Sequence, residues 1–155
     1  MRCPACHNNL NQLLVGDVII DACEDGCGGI WCDRFEIKKL NQLGDSEIEE
    51  LLNLAKNKKI EVVQNKKRHC PKCKNIVMQR HFFSVKKQVL VDECPKCGGY
   101  WLDAGELENI RQEFSSDKAK EVAADEYFSE VFKQYGLEKK PQPEPKQRGL
   151  RNRLF

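Results

Sequence analysis

Eight of the nine cysteines in this 155-residue chain fall into two sets of four. Cys3 and Cys6 stand two residues apart and are followed by Cys23 and Cys27, three residues apart. Cys70 and Cys73, then Cys94 and Cys97, repeat the arrangement with two residues in both gaps. Two close pairs of thiols per set form the donor pattern of a tetrahedral zinc ion held wholly by sulfur. A disulfide framework would belong to an oxidising compartment and an even cysteine count. A ligand at Cys3 also stands where the charged head of a signal peptide would have to lie. The spacing therefore predicts a cytoplasmic protein with two Zn2+ ions and one spare thiol, Cys32.

Such sites offer structure rather than catalysis. A catalytic zinc keeps one position open for water and usually takes histidine or carboxylate ligands, whereas both sets here are closed with sulfur. His7 and His69 flank the expected ligands and His81 falls in an expected hairpin strand, none paired with a nucleophile. No catalytic residue, enzymatic activity or small-molecule substrate is expected. Thiolate ligands do leave two other chemistries open: a redox switch that releases zinc on oxidation, and a rubredoxin-like iron in place of zinc.

The elements that must position these thiols repeat with them. Residues 18–23 and 89–94 are short β-branched runs leading into the third ligand, and each set is predicted to sit on an antiparallel hairpin. After the fourth ligand, Gly28, Gly29, Trp31, Asp33 and Glu36 match Gly98, Gly99, Trp101, Asp103 and Glu106. The glycines suit a turn that needs positive φ. The tryptophans are expected to pack against the metal sites rather than to stack on bases, since no other exposed aromatic is at hand. Asp33 with Glu36, and Asp103 with Glu106, read as capping boxes that start a helix. Leu102 and Leu107 form a hydrophobic staple around the second cap. In the first, Cys32 and Ile37 take those places, which suits Cys32 to packing, with an alternative ligand or a reactive thiol as the lesser readings.

Helices are expected beyond the ribbons: one opened by Ser46 and Glu49 and running to about Asn57, with Ile48, Leu51, Leu52 and Ala55 on its apolar face, and one over about 116–135. The latter presents Val122, Phe128, Val131, Phe132 and Tyr135. Residues 60–63 suit a short strand or a linker, and the prolines at 141, 143 and 145 suit a disordered tail. The fold class is thus small α+β: two zinc ribbons, each followed by a helix, plus a C-terminal helix and tail. Its divisions are 1–43 and 69–114 for the ribbons with their helices, 44–68 for a helical and basic linker, 115–136 for the amphipathic helix and 137–155 for the basic tail. No segment approaches the roughly 18 apolar residues of a membrane span, so a soluble protein without a membrane partner is expected.

Charge separates along the chain more than it accumulates. The formal value is +2, and because each four-thiolate zinc carries a net −2, the loaded protein comes to about −2. That total offers no support for nucleic-acid binding. Residues 56–80 nonetheless hold nine Lys or Arg against Glu61 alone, which makes Lys66, Lys67, Arg68, Lys72, Lys74 and Arg80 candidate phosphate contacts.

The Cys-Pro-x-Cys pair, the strand ending in Asp-x-Cys and the Cys-Pro-x-Cys-Gly-Gly-x-Trp-x-Asp-x-Gly-Glu-Leu run over residues 70–107 resemble the bacterial transcription factor IIB-type zinc-finger domain. Residues 3–40 resemble a second, degenerate copy, departing in the longer gap before Cys27, in Cys32, and in Arg34 and Phe35 where the other copy has Ala104 and Gly105. The resemblance implies a zinc ribbon followed by a short helix in each copy, with zinc on Cys3, Cys6, Cys23 and Cys27 and on Cys70, Cys73, Cys94 and Cys97. The expected function is a nonenzymatic interaction module, in contact with nucleic acid or the transcription machinery. An adaptor that binds protein through the C-terminal helix or tail is the alternative.

Overall fold

The computed structural model describes residues 1–86, 88–113 and 117–134, without the side chains of 117–121, 123 and 132. Each half builds a three-stranded antiparallel unit: β1 (Asn11–Val15), β2 (Val18–Ala22) and β3 (Ile30–Cys32) in the first, β4 (Gln79–Phe82), β5 (Leu90–Glu93) and β6 (Tyr100–Leu102) in the second. The two units join along β3 and β6, which pair antiparallel with Trp31 opposite Trp101, so one sheet runs β1-β2-β3-β6-β5-β4. Pairing places Gln12, Asp21, Trp31, Trp101, Asp92 and Arg80 in one row across all six strands. Period-two alternation puts that row on a single face.

The opposite face carries the helices α1 (Glu36–Leu40), α2 (Asp45–Lys56) and α3 (Glu106–Glu113). Val18, Ile20, Val91 and Leu102 from the strands pack with Ile37, Leu40, Ile48, Leu51, Leu107 and Ile110 from the helices into the main core. Cys32 lies fully buried in this cluster, as the staple pattern predicts. A second cluster gathers Trp31, Trp101, Leu10 and Met78 with the ligand cysteines. An isolated ribbon of this length buries too little apolar surface to be stable; joining edge to edge lets both share one core.

Helix starts follow the sequence in part. Asp33 Oδ1 accepts the N–H groups of Phe35 (2.7 Å) and Glu36 (2.9 Å), while Asp33 N–H donates to Glu36 Oε2 (2.7 Å), which completes the first box. The second box is only half made, since Asp103 N–H reaches Glu106 Oε2 (2.7 Å) but its carboxylate turns inward. α2 starts earlier than the Ser46 signal suggests: Gly44 is its cap, and Glu47 rather than Glu49 reaches back to the Gly44 N–H (2.8 Å). A glycine cap carries no side-chain signal, which is why the later serine misleads. Residues 61–63 form no strand. The last helix, α4, is described over Asp117–Gln134, with Val122 and Phe128 each 49% exposed. Phe132's side chain, Tyr135 and the tail of 137–155 lie outside the described residues.

Candidate metal centres

The first two ligands of each set sit in the loop before the outer strand, and the second two bridge the middle and inner strands. Backbone bonds close these loops: Cys3 N–H to Asn8 O (2.8 Å), Cys70 N–H to Ile76 O (2.8 Å), Cys23 N–H to Gly29 O and Cys94 N–H to Gly99 O (both 2.9 Å). The residue just after each pair takes the left-handed region. Gly28 (φ 73°) and Gly98 (φ 69°) do so without steric cost, and His7 (φ 66°) and Lys74 (φ 57°) do so despite their side chains. Sequence reading assigned no turn role to His7 or Lys74. Their position after the second cysteine, where the other two knuckles have glycine, is the signal that could have found it.

All four sulfurs of Cys3, Cys6, Cys23 and Cys27 lie within 4.8 Å of one another, and so do those of Cys70, Cys73, Cys94 and Cys97. Sγ–Sγ separations of 3.5 Å (Cys3 to Cys27), 3.4 Å (Cys6 to Cys23) and 3.8 Å (Cys70 to Cys97) compare with the edge of about 3.8 Å expected for a tetrahedron with metal–sulfur bonds of about 2.3 Å. The donor set therefore fits a tetrahedral ion. As bare thiols Cys3, Cys23, Cys70 and Cys73 resist ionisation, whereas Cys94, against the upward push of burial, is lowered by the N–H groups of Cys97 and Lys96. The Cys27 hydrogen bond, then burial, drives Cys3 upward; burial pushes Cys23 up to about 12 and raises Cys70. A dication held by these sulfurs would reverse that balance by favouring the thiolates. N–H groups of Ala5 and Cys6 point at Cys3 Sγ (both 3.4 Å), and that of Cys73 at Cys70 Sγ (3.2 Å), adding donors to the sulfur charge.

The three-residue gap before Cys27 is accommodated by Gly26. A Cβ there would stand 2.7 Å from Cys23 Sγ and 2.9 Å from Cys6 Sγ, so the extra residue folds against the sulfurs and has no room for a side chain. Gly29 and Gly99 serve differently from the expected turn role. Neither takes positive φ; instead a Cβ on Gly29 would lie 2.3 Å from Trp101 Cζ2, and one on Gly99 would lie 2.2 Å from Trp31 Cζ2. Each tryptophan thus packs over the knuckle of the other repeat. The departure at Arg34 also crosses over, its side chain lying beside Gly98 of the second site.

The candidate phosphate contacts divide. Lys66, Lys67, Lys72 and Lys74 are exposed. Arg68 is 3% exposed, and its Nη1 donates to Asp92 Oδ2 (3.1 Å) and Asp103 Oδ1 (2.8 Å), so it is an internal cation and cannot meet a phosphate. Arg80 grips both Asp92 oxygens, Nε to Oδ1 at 2.9 Å and Nη2 to Oδ2 at 3.0 Å, a bidentate pair that holds its guanidinium to the sheet. Trp101 Nε1–H joins the same network through Asp103 Oδ1 (2.9 Å). Basic residues in a lysine-rich run look alike in sequence. Only the tertiary structure shows that two of these six face carboxylates, Arg80 through the register of β4 on β5 and Arg68 through the packing of the segment before β4.

A family model described as a transcription factor zinc-finger, of the zinc-ribbon type of transcription factor IIB, matches residues 2–42 and 69–113, more than half of the chain. No curated protein and no solved structure matches it.

Proposed function

Because this chain belongs to the transcription factor zinc-finger family, with the ribbon present in each half, we propose that it is a nonenzymatic zinc-binding interaction module. The observation that carries the reading is the closure of both centres: four sulfurs each, with no histidine or carboxylate in either group. A zinc ion so enclosed supplies folding energy and has no open position at which to polarise a substrate. The ribbons act as a rigid platform, and contact with partners falls to its surface. No helix among the described residues is long and apolar enough to cross a membrane.

Nucleic acid is the first candidate, and the support for it is the exposed set Lys66, Lys67, Lys72 and Lys74 around and before the second ribbon. Native mass spectrometry with elemental analysis should find two zinc ions per chain; iron, or a single ion, would contradict the metal assignment. Fluorescence anisotropy with labelled DNA and RNA should show binding that weakens steeply with salt, and each Lys→Ala change should lower the salt slope by about one. Undetectable or salt-insensitive binding would transfer the proposal to the protein adaptor, which the half-exposed Val122 and Phe128 on α4 favour.

A further inference from the structure

We infer that Trp101 is a positioning residue for the first metal site and Trp31 for the second, so that the two sites load as a coupled pair. The inference rests on the metal-binding reading and is independent of which partner the protein meets. Its basis is the crossed packing at β3 and β6. Trp31 and Trp101 face each other across that strand pair, 2% and 0% exposed. Trp101 places Cζ2 and Cη2 over Gly29, where a Cβ would approach to 2.3 and 2.9 Å; Trp31 places Cζ2, Cη2 and Cε2 over Gly99, at 2.2, 2.7 and 3.0 Å.

Those two glycines are joined to metal ligands. Gly29 O accepts the N–H of Cys23 and stands two residues beyond Cys27; Gly99 O accepts the N–H of Cys94 and stands two residues beyond Cys97. An indole seated on each glycine thereby fixes the backbone that carries two thiolates of the neighbouring site. When one ribbon lacks its ion, its tryptophan loses its anchorage and the other ribbon's knuckle loses a wall. Trp101 is itself held by Asp103, which is held by Arg68, so the first site rests on an ion network belonging to the second half.

The test loads the full chain with 113Cd2+, whose two NMR resonances are assigned with Cys6→Ser and Cys73→Ser variants, and extracts the ions with a graded chelator. Trp101→Leu should release the ion of the Cys3, Cys6, Cys23 and Cys27 site at a chelator concentration lower by about tenfold or more, ahead of the other site. Trp31→Leu should reverse the order, and Phe in place of either Trp should restore part of the affinity. Equal loosening of both sites, or loosening of the substituted repeat's own site, would overturn the assignment, because general loss of packing does not act crosswise. Should the leucine variants fail to fold, native mass spectrometry of the unmodified chain at half saturation decides. Coupled sites leave the singly loaded species well below the population of about one half that independent, equal sites give, and a value at or above one half overturns the coupling. Loss of both resonances in the unmodified chain would overturn the metal reading itself, and the coupling with it.

Discussion

The two halves of this protein carry the same Trp-x-Asp run after the fourth ligand and put its aspartate to different uses. In the first half, Asp33 caps α1 through two backbone N–H groups. In the second, Asp103 is 6% exposed and accepts instead from Arg68 and from the Trp101 indole. The cause lies elsewhere in the chain: Arg68 reaches this face of the sheet, and a buried guanidinium must find carboxylates. The row across the sheet shows the same contrast. Asp92 holds two arginines, whereas Asp21, at the equivalent place opposite Trp31, is half-buried with its carboxyl pushed up by burial, against the opposing pull of the N-terminus and Lys72. A repeated motif therefore specifies a ligand geometry and a strand, and its remaining polar groups adopt whatever partner the surroundings supply.

The largest expected effect comes from removing that difference. Arg68→Met should destabilise the loaded protein by about 3 to 5 kcal/mol, because it leaves Asp103 without its buried cation and Asp92 with Arg80 alone. Adding Asp103→Asn to Arg68→Met should recover much of the loss. Denaturant melts of the two variants measure both effects, and a neutral Arg68→Met would show that the two halves are energetically alike.

Next in size is a dependence on pH. Burial, opposed by the Asp103 N–H bond, raises the Glu106 carboxyl to about 7, above its ordinary 4.5. A carboxyl raised on folding contributes stability that is full below its unfolded value and is lost as pH climbs through the folded one. Melting temperature should therefore fall between about pH 5 and pH 7.5 by the equivalent of roughly 2 to 3 kcal/mol, and Glu106→Gln should flatten that fall while keeping the accepting oxygen. An unchanged profile would remove Glu106 as its source.

The smallest effect belongs to the simpler half. Asp33→Ala should cost about 1 kcal/mol, the value of a helix cap, and Asp33→Asn much less. Asp103→Ala should cost several times more because it takes one of two carboxylates from buried Arg68 and the acceptor from the Trp101 indole. Equal losses at the two aspartates, read from thermal melts, would dissolve the distinction between cap and counterion.

Much of this was legible before any coordinates. Cysteine spacing placed eight thiols in two sets of four, which the structure brings together, β-branched runs located β2 and β5, and the staple pattern put Cys32 in the core. These features depend on neighbours a few residues away, and short-range spacing is what a sequence displays. Where local signals were weak, the reading slipped, as at the glycine cap of α2.

The joining of two ribbons into one sheet, the crossed seating of Trp31 and Trp101, the burial of Arg68 and the pairing of half-buried Arg80 with Asp92 were decided by the tertiary structure. Each depends on a contact that no local pattern encodes: β3 meets β6 seventy residues on, with Trp31 opposite Trp101, and Arg68 reaches Asp103 across 35 residues. Residue type alone determined that these side chains would need partners, a cavity for an indole and carboxylates for a guanidinium. Which partners they found was set by the tertiary fold: strand register puts Trp31 opposite Trp101 and Arg80 opposite Asp92, and the packing of the segment before β4 brings Arg68 to Asp92 and Asp103, groups that lie far apart along the chain.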